Sequence, residues 1–242
     1  MKYYSITDIG KVREINEDNY ANYIGSRFSL FVVADGMGGH NAGEVASKLA
    51  VESVRDYVIK NKNTNDFEKL SMDSMKYAND QIIAMANKDQ NLENMGTTAV
   101  SAIVHENKCY VSNVGDSRLY LIRDGKISQI TKDHSYVQEL IDEGLLTLEE
   151  AKFFSKKNYI TNALGSDNND FEIAIYTVEL KNKDRVLLVT DGLTSMVDDD
   201  EILDLFSLDL DLKETAEILV YMANSMGGYD NITLTLFTYE EE

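Results

Sequence analysis

The apolar run Leu30-Phe31-Val32-Val33-Ala34 passes straight into Asp35-Gly36-Met37-Gly38-Gly39-His40, so a buried strand ends in an acidic residue and a glycine-rich turn. Before it, residues 3–8 predict a first strand, and residues 19–24 pair with 28–34 around Gly25-Ser26. Beyond Gly39 the period becomes helical: Ala42, Val45, Ala46, Leu49, Val54, Tyr57 and Val58 share one face, opened by Asn41 and Glu44 as a capping box. A second helix carries Phe67, Leu70, Ser74, Met75, Ala78, Ile82 and Met85 on its stripe, opened in the same way by Asn65 and Glu68.

From Gly96 the alternation of a sheet returns, predicting strands over 97–104, 108–114, 118–122 and 126–130, the last pair joined by Arg123-Asp124-Gly125 in a hairpin. The stretch 133–170 reads differently. Two short helical patches, 135–143 and 147–154, precede a polar segment, and together they predict a flap. Strands at 171–178 and 185–190 follow, and Val186-Leu187-Leu188-Val189 is apolar on both faces, as in a sheet covered on each side. Helices over 198–207 and 212–225 lead to a final strand at 232–237.

Composition narrows the classes. A chain of 242 residues is sized for one domain, and with no proline there is no proline-rich linker to divide it. A hydrophobic share of 43% with 27% charged residues belongs to a folded globular protein. No apolar run is long enough to cross a bilayer and Met1-Lys2-Tyr3-Tyr4 opens no signal peptide, which predicts a cytoplasmic protein. The net charge of −19 argues against nucleic-acid and anionic-membrane partners, and suits a site for hard cations. The single Cys109, inside a predicted strand, excludes an internal disulfide and a cysteine-based zinc site and reads as buried filler.

The strand-end acidic turn recurs. Gly115-Asp116 and Asp191-Gly192 each follow a predicted strand, and Asp230, after Gly227-Gly228-Tyr229, stands just before one. A carboxylate there is held on a rigid support, while glycine lets backbone approach its ligand and leaves the Gly36 carbonyl as a further oxygen donor. The donor type favours a divalent cation; an Asp that merely caps a helix or braces a turn is the alternative, for Asp116 above all. In the polar loop 10–19, Arg13 offers a planar fork to a phosphate and Asp18 a carboxylate to a metal, unless both are spent in surface salt bridges.

The ordered set Thr7-Asp8-Ile9-Gly10 with Arg13 and Asn16-Glu17-Asp18, Val33-Ala34-Asp35-Gly36-Met37-Gly38-Gly39-His40, Gly96-Thr97-Thr98, Val114-Gly115-Asp116-Ser117-Arg118, Thr131-Lys132-Asp133-His134-Ser135, Thr190-Asp191-Gly192 and Asp230-Asn231-Ile232-Thr233 resembles the bacterial type 2C metal-dependent Ser/Thr protein phosphatases over essentially the whole chain. The resemblance implies an α+β fold, a four-layer α-β-β-α sandwich of two antiparallel sheets flanked by helix pairs, in one catalytic domain over 1–242. It implies that Asp35 bridges two Mn²⁺ or Mg²⁺ ions, that Gly36 adds its carbonyl, and that Asp191 and Asp230 complete the ligands. Asp18, joined by Glu17, would hold waters of the cluster, Asp116 with Asp191 a weaker third ion, and Arg13 the substrate phosphate. The catalytic set is then Arg13, Asp35 and Asp191, acting as a monomer on phosphorylated proteins, among them a cognate Ser/Thr kinase and its substrates. Alternatives are a catalytically silent binding module of the same fold and a non-catalytic divalent-cation binder. Two departures stand out. Animal members carry a histidine directly after the strand-end Asp-Gly where this chain has Met37, leaving His40 as proton donor or helix-start residue; and Ser155 and Lys157 replace a proline and an arginine before Asn158 in the flap. His105 and His134 read as structural.

Overall fold

The computed structural model describes residues 1–38, 42–151, 154, 159–166, 171–208 and 210–241. Alternation along the most buried strands divides their apolar side chains among three layers. In β3 (Ser29–Met37), Leu30, Val32 and Ala34 pack with the apolar faces of α1 (Ala42–Lys60) and α2 (Phe67–Ala86), while Phe31 and Val33 pack with Leu188 and Phe237 from the opposite sheet. In β10 (Arg185–Val189), Val186 and Leu188 join that middle layer, and Leu187 and Val189 meet α6 (Asp199–Phe206) and α7 (Leu212–Ser225). Burial on both faces is therefore what the unbroken apolar run encodes, each large side chain contributing about 1.5–3 kcal/mol of transfer free energy.

Among the described residues the strands form two antiparallel sheets. One runs in the order β1 (Lys2–Asp8), β11 (Ile232–Thr238), β10, β7 (Arg118–Arg123) and β8 (Lys126–Gln129). The other runs β2 (Asp18–Ile24), β3, β5 (Ala99–His105), β6 (Lys108–Val114) and β9 (Ala174–Glu179), with the short β4 (Gly96–Thr97) beside the end of β3. Helices cover both outer faces, giving the α-β-β-α order. The helices α3 (Tyr136–Asp142) and α4 (Leu148–Ala151) lie between β8 and β9, and α5 (Asp191–Thr194) is a single turn after β10.

The middle layer changes character along its length, and this places the site. At one end Phe31 stacks on Phe237 with centroids 4.5 Å apart. Towards the other, β11 turns Ile232, Leu234 and Leu236 to the helices and leaves Thr233 and Thr235 to pair with β1 hydroxyls. Thr7 Oγ1 and Thr233 Oγ1 lie 2.7 Å apart, so the buried Thr233 hydroxyl is satisfied by an exposed one. Beyond this polar end stand the acidic turns.

Several boundaries differ from the sequence reading for identifiable reasons. The strand predicted over 97–104 is split at Thr98, because Thr98 donates its backbone N–H to the Asp35 carbonyl and its hydroxyl accepts from the Asp35 N–H. Asp66, not Asn65, caps α2, accepting from the Lys69 N–H at 2.9 Å; the Asn65 side chain is engaged by Arg27. The one-turn α5 lacked the length to show a period. Asn41 of the first predicted capping box and Ser155, Lys157 and Asn158 of the flap lie outside the described residues.

Candidate active site

Strand register sets two carboxylates against each other: Asp18 of β2 lies directly opposite Asp35 of β3. Like charges in that position destabilise a sheet, so the pairing calls for something that offsets it. The other acidic turns add to the same end of the sandwich. Asp191 opens α5 where β10 finishes, Asp230 precedes the neighbouring β11, and Asp116 lies between β6 and β7. Thr190 Oγ1 ties the sheets together, donating to Asp18 Oδ2 at 2.8 Å and receiving the Thr233 N–H at 3.0 Å.

The carboxyl groups form a crowded set, Asp18 and Asp116 buried and Asp35 and Asp191 partly so. Burial, then the charges of Asp18, Asp191, Asp116 and Asp230, push Asp35 well above the usual carboxylate range. Asp18 is pushed up to about 7, by burial first and by Asp191 and Asp230 next, against hydroxyl hydrogen bonds that hold it down. Asp116 rises to about 8, again from burial and then from Asp191 and Asp133. Asp191 is raised by burial and by Asp230. Each group thus feels at least one other member of the set, and the turns converge electrostatically as well as in topology.

Two glycines permit the convergence. A Cβ at Gly36 would stand 2.1 Å from the Gly43 carbonyl oxygen of α1, and one at Gly192 would stand 1.9 Å from the Asn231 carbonyl oxygen. Both contacts are with backbone, which cannot swing aside. The glycine after each aspartate therefore serves the approach of a second chain segment, in addition to any ligand.

Asn231 anchors the loop carrying Arg13. Its side chain donates to the carbonyls of Ile9 (2.9 Å) and Ile15 (3.0 Å) and accepts from the Glu17 N–H (2.8 Å). Arg13 itself reaches across to Asp230, Nη2 to Oδ2 at 2.7 Å, and is half exposed. The salt-bridge reading of Arg13 holds, and its partner is not a chance surface group but Asp230 of the acidic set.

Among the described residues no group of three or more histidine, cysteine or acidic side chains is gathered tightly enough to hold an ion unaided. Mg²⁺ and ions like it need no such cage, since they keep several waters and take one or two carboxylates each. The donor set suits them. Among the described residues, Oδ1 of Asp18, of Asp116 and of Asp191 is buried without a hydrogen-bond partner, a costly condition that a cation and its waters would relieve.

Comparison with known proteins agrees with the geometry. The family described as protein phosphatase 2C matches residues 11–227. The chain belongs to the protein phosphatase 2C family. It is 37% identical over 234 residues to the serine/threonine phosphatase stp of Listeria welshimeri, spanning 95% of this chain and 92% of that protein. The Mycobacterium tuberculosis serine/threonine phosphatase PstP/Ppp superposes with a TM-score of 0.90 at 37% identity, over 99% of this chain and 98% of that one. A PstP catalytic domain in complex with two manganese ions superposes with a TM-score of 0.85 at 36% identity, over 97% and 96%. As a protein phosphatase 2C member the chain is a phosphoprotein phosphatase, a hydrolase of phosphoric monoesters.

Other residues singled out in the sequence take supporting places. His134 braces the Asp116 turn: its N–H donates to the Gly115 carbonyl at 3.0 Å, and its Nδ1 lies 3.2 Å from the Gly115 N–H, which donates to it. Burial lowers its pKa, in keeping with a neutral structural imidazole. His105 pairs with the Arg27 carbonyl and stacks on Phe67. Cys109 is buried in the middle layer with its thiol pushed up to about 12, so it is filler. His40 lies outside the described residues. Thr98, Thr190 and Asn231 were visible as motif letters, but their work of pinning Asp35, Asp18 and the Arg13 loop is legible only from the partners they reach.

Proposed function

We propose that this serine/threonine protein phosphatase hydrolyses phosphoserine and phosphothreonine in proteins with a water activated at a binuclear Mn²⁺ or Mg²⁺ centre. The observation that carries the reading is the acidic set itself: carboxyl groups crowded together, three of them with a buried oxygen that has no hydrogen-bond partner among the described residues. Asp35 would span both ion positions, with the Gly36 carbonyl, Asp191 and Asp230 as further ligands and Asp18 with Glu17 on ordered waters. When bound, such ions lower the pKa of a water so that hydroxide is available near neutral pH, and neutralise charge on the phosphoryl oxygens. Thr190 keeps the Asp18 carboxylate oriented by its hydrogen bond, and Asp230 holds the Arg13 guanidinium, whose other donors would fork onto phosphate. The whole chain, 1–242, would form one catalytic domain with a flap over 133–170, acting as a cytoplasmic monomer on a Ser/Thr kinase and that kinase's substrates. Among the described residues no helix is long and apolar enough to cross a membrane. The deciding experiment is hydrolysis of an aryl phosphate and a phosphothreonine peptide with Mn²⁺, with Mg²⁺ and with chelator. Undiminished turnover in chelated, metal-free protein would overturn the reading.

Arg13→Ala is expected to act on substrate binding, because the fork meets phosphate oxygens before and during reaction alike. The KM for a phosphopeptide rises on the order of tenfold or more, as losing a charged hydrogen bond of about 1.5–3 kcal/mol requires. An unchanged KM would remove Arg13 from the phosphate site.

Asp116 with Asp191 would hold a third, weaker ion. Asp116→Ala is expected to leave two tight Mn²⁺ equivalents in a calorimetric titration and to slow phosphopeptides more than aryl phosphate, whose phenolate leaves with less help. Equal stoichiometry and equal rates in the variant would return Asp116 to bracing the turn.

A further inference from the structure

We propose that Val12, Ile15, Met226 and Tyr229 form an apolar rim beside the Arg13–Asp230 pair that binds an apolar side chain adjacent to the phosphorylated residue of the substrate protein, and so sets sequence preference; this rests on the function proposed above. The four residues come from opposite ends of the chain, and backbone contacts join them. Lys11 donates its N–H to the Gly228 carbonyl at 2.8 Å, and a Cβ at Gly10 would stand 2.3 Å from the Asp230 carbonyl oxygen. Asn231 holds the carbonyls of Ile9 and Ile15. The loop around Arg13 and the turn before β11 are thus one surface.

That surface exposes apolar groups where a protein surface usually does not gather them. Val12 is 59% exposed, Met226 50% and Tyr229 62%, and Ile15 also lies open. Scattered apolar residues need no explanation, but these flank a phosphate-binding arginine on a joined pair of loops. Tyr229 also packs on the turn. A Cβ at Gly227 would stand 2.5 Å from Tyr229 Cε2, so the ring lies against glycine backbone while keeping most of its surface open. A tyrosine has only two side-chain torsions to fix and so offers contact area at little cost in conformational entropy.

The phosphate seat fixes what can occupy the rim. Val12 is the chain neighbour of Arg13 and Tyr229 of its partner Asp230, so with a phosphoryl group at Arg13 the adjacent substrate residues, spaced about 3.3–3.6 Å apart along an extended backbone, come within reach of both. Glu14 and Glu17 in the same loop, and the net charge of −19, disfavour an acidic neighbour there. The rim groups themselves are uncharged and apolar, so the occupant is an extended phosphoprotein segment with an apolar side chain next to the phosphoresidue.

The test compares wild type with a Val12→Ser, Tyr229→Ser double variant, both with Mn²⁺, on phosphothreonine peptides that differ only in carrying Leu, Ser or Asp beside the phosphothreonine. The ratio of kcat/KM between the Leu and Ser peptides is taken within each preparation, which cancels any general change in turnover. It is expected to be at least about tenfold in wild type, equivalent to about 1.4 kcal/mol, and to fall within about twofold in the double variant. A wild-type ratio near one, or a ratio that survives in the variant, overturns the rim. So does sedimentation showing a wild-type dimer that the variant loses, which would assign the surface to a second copy of the chain. Wild type that cleaves aryl phosphate and peptides without preference overturns the rim and leaves the proposed function standing; cleavage of neither overturns both.

Discussion

Asp35→Asn is expected to abolish turnover, by a factor on the order of a thousand or more, and at the same time to raise the melting temperature of the chelated protein. The loss of activity follows from its central position, since every other member of the acidic set contributes to its raised pKa or shares its electrostatic neighbourhood. The gain in stability follows from the same crowding. Asp18 faces Asp35 across the β2–β3 pair, and a neutral amide of the same shape replaces a carboxyl that the folded chelated protein must keep protonated at a pH where the unfolded chain ionises it freely. A gain of about 1 kcal/mol would move the midpoint of a chain this size by roughly 2–4 °C. Opposite signs for activity and stability mark a residue retained for chemistry. A variant that melts lower than wild type in chelator would show that Asp35 braces the fold, and retention of near-normal activity would remove it from the centre.

Such residues were partly legible in the sequence. The apolar strand that ends in Asp35 and the later Asp191-Gly192 and Asp230 turns could be read as chemistry because an acidic residue at the end of a buried strand is held on a rigid support. Local alternation also located the strands, since burial on one or both faces leaves its mark over four to eight residues. What local pattern could not supply was the meeting of the turns. Thr190 reaches Asp18 across 172 positions and Asn231 reaches Glu17 across 214, distances over which no periodicity operates. The split at Thr98 was hidden for the same reason: Thr98 looks like any strand threonine until the end of β3 takes both its N–H and its hydroxyl. Asn65 and Asp66 are equally good caps by type, and only the position of Arg27, which engages Asn65, separates them. The resemblance to a known family supplied the convergence that the residues alone left open.

The chelated protein is expected to lose stability as pH rises from about 4 to about 8, and Mn²⁺ is expected to reverse that slope. Asp18 and Asp116 have folded-state pKa values raised to about 7 and about 8 from 3.8, and Asp35 is raised well above 3.8 as well. Between those limits the folded state holds protons that the unfolded state has released, so the derivative of stability with pH is negative, by up to about 1.4 kcal/mol per pH unit for each such proton. Their contribution is fully favourable below the unfolded pKa and is lost as pH climbs through the folded one. A cation demands the deprotonated carboxylates, so its stabilising effect grows over the same interval. Urea unfolding at pH 5, 6.5 and 8, with chelator and with saturating Mn²⁺, measures both slopes. General repulsion among the charges behind the net −19 acts in the same direction in the chelated protein, so the control is Asp18→Asn, which removes one titrating carboxyl and little of the net charge. If the slope in that variant matches wild type, the acidic set is not its source; if it flattens, the set is the source, and Mn²⁺ binds in competition with the protons that the set holds.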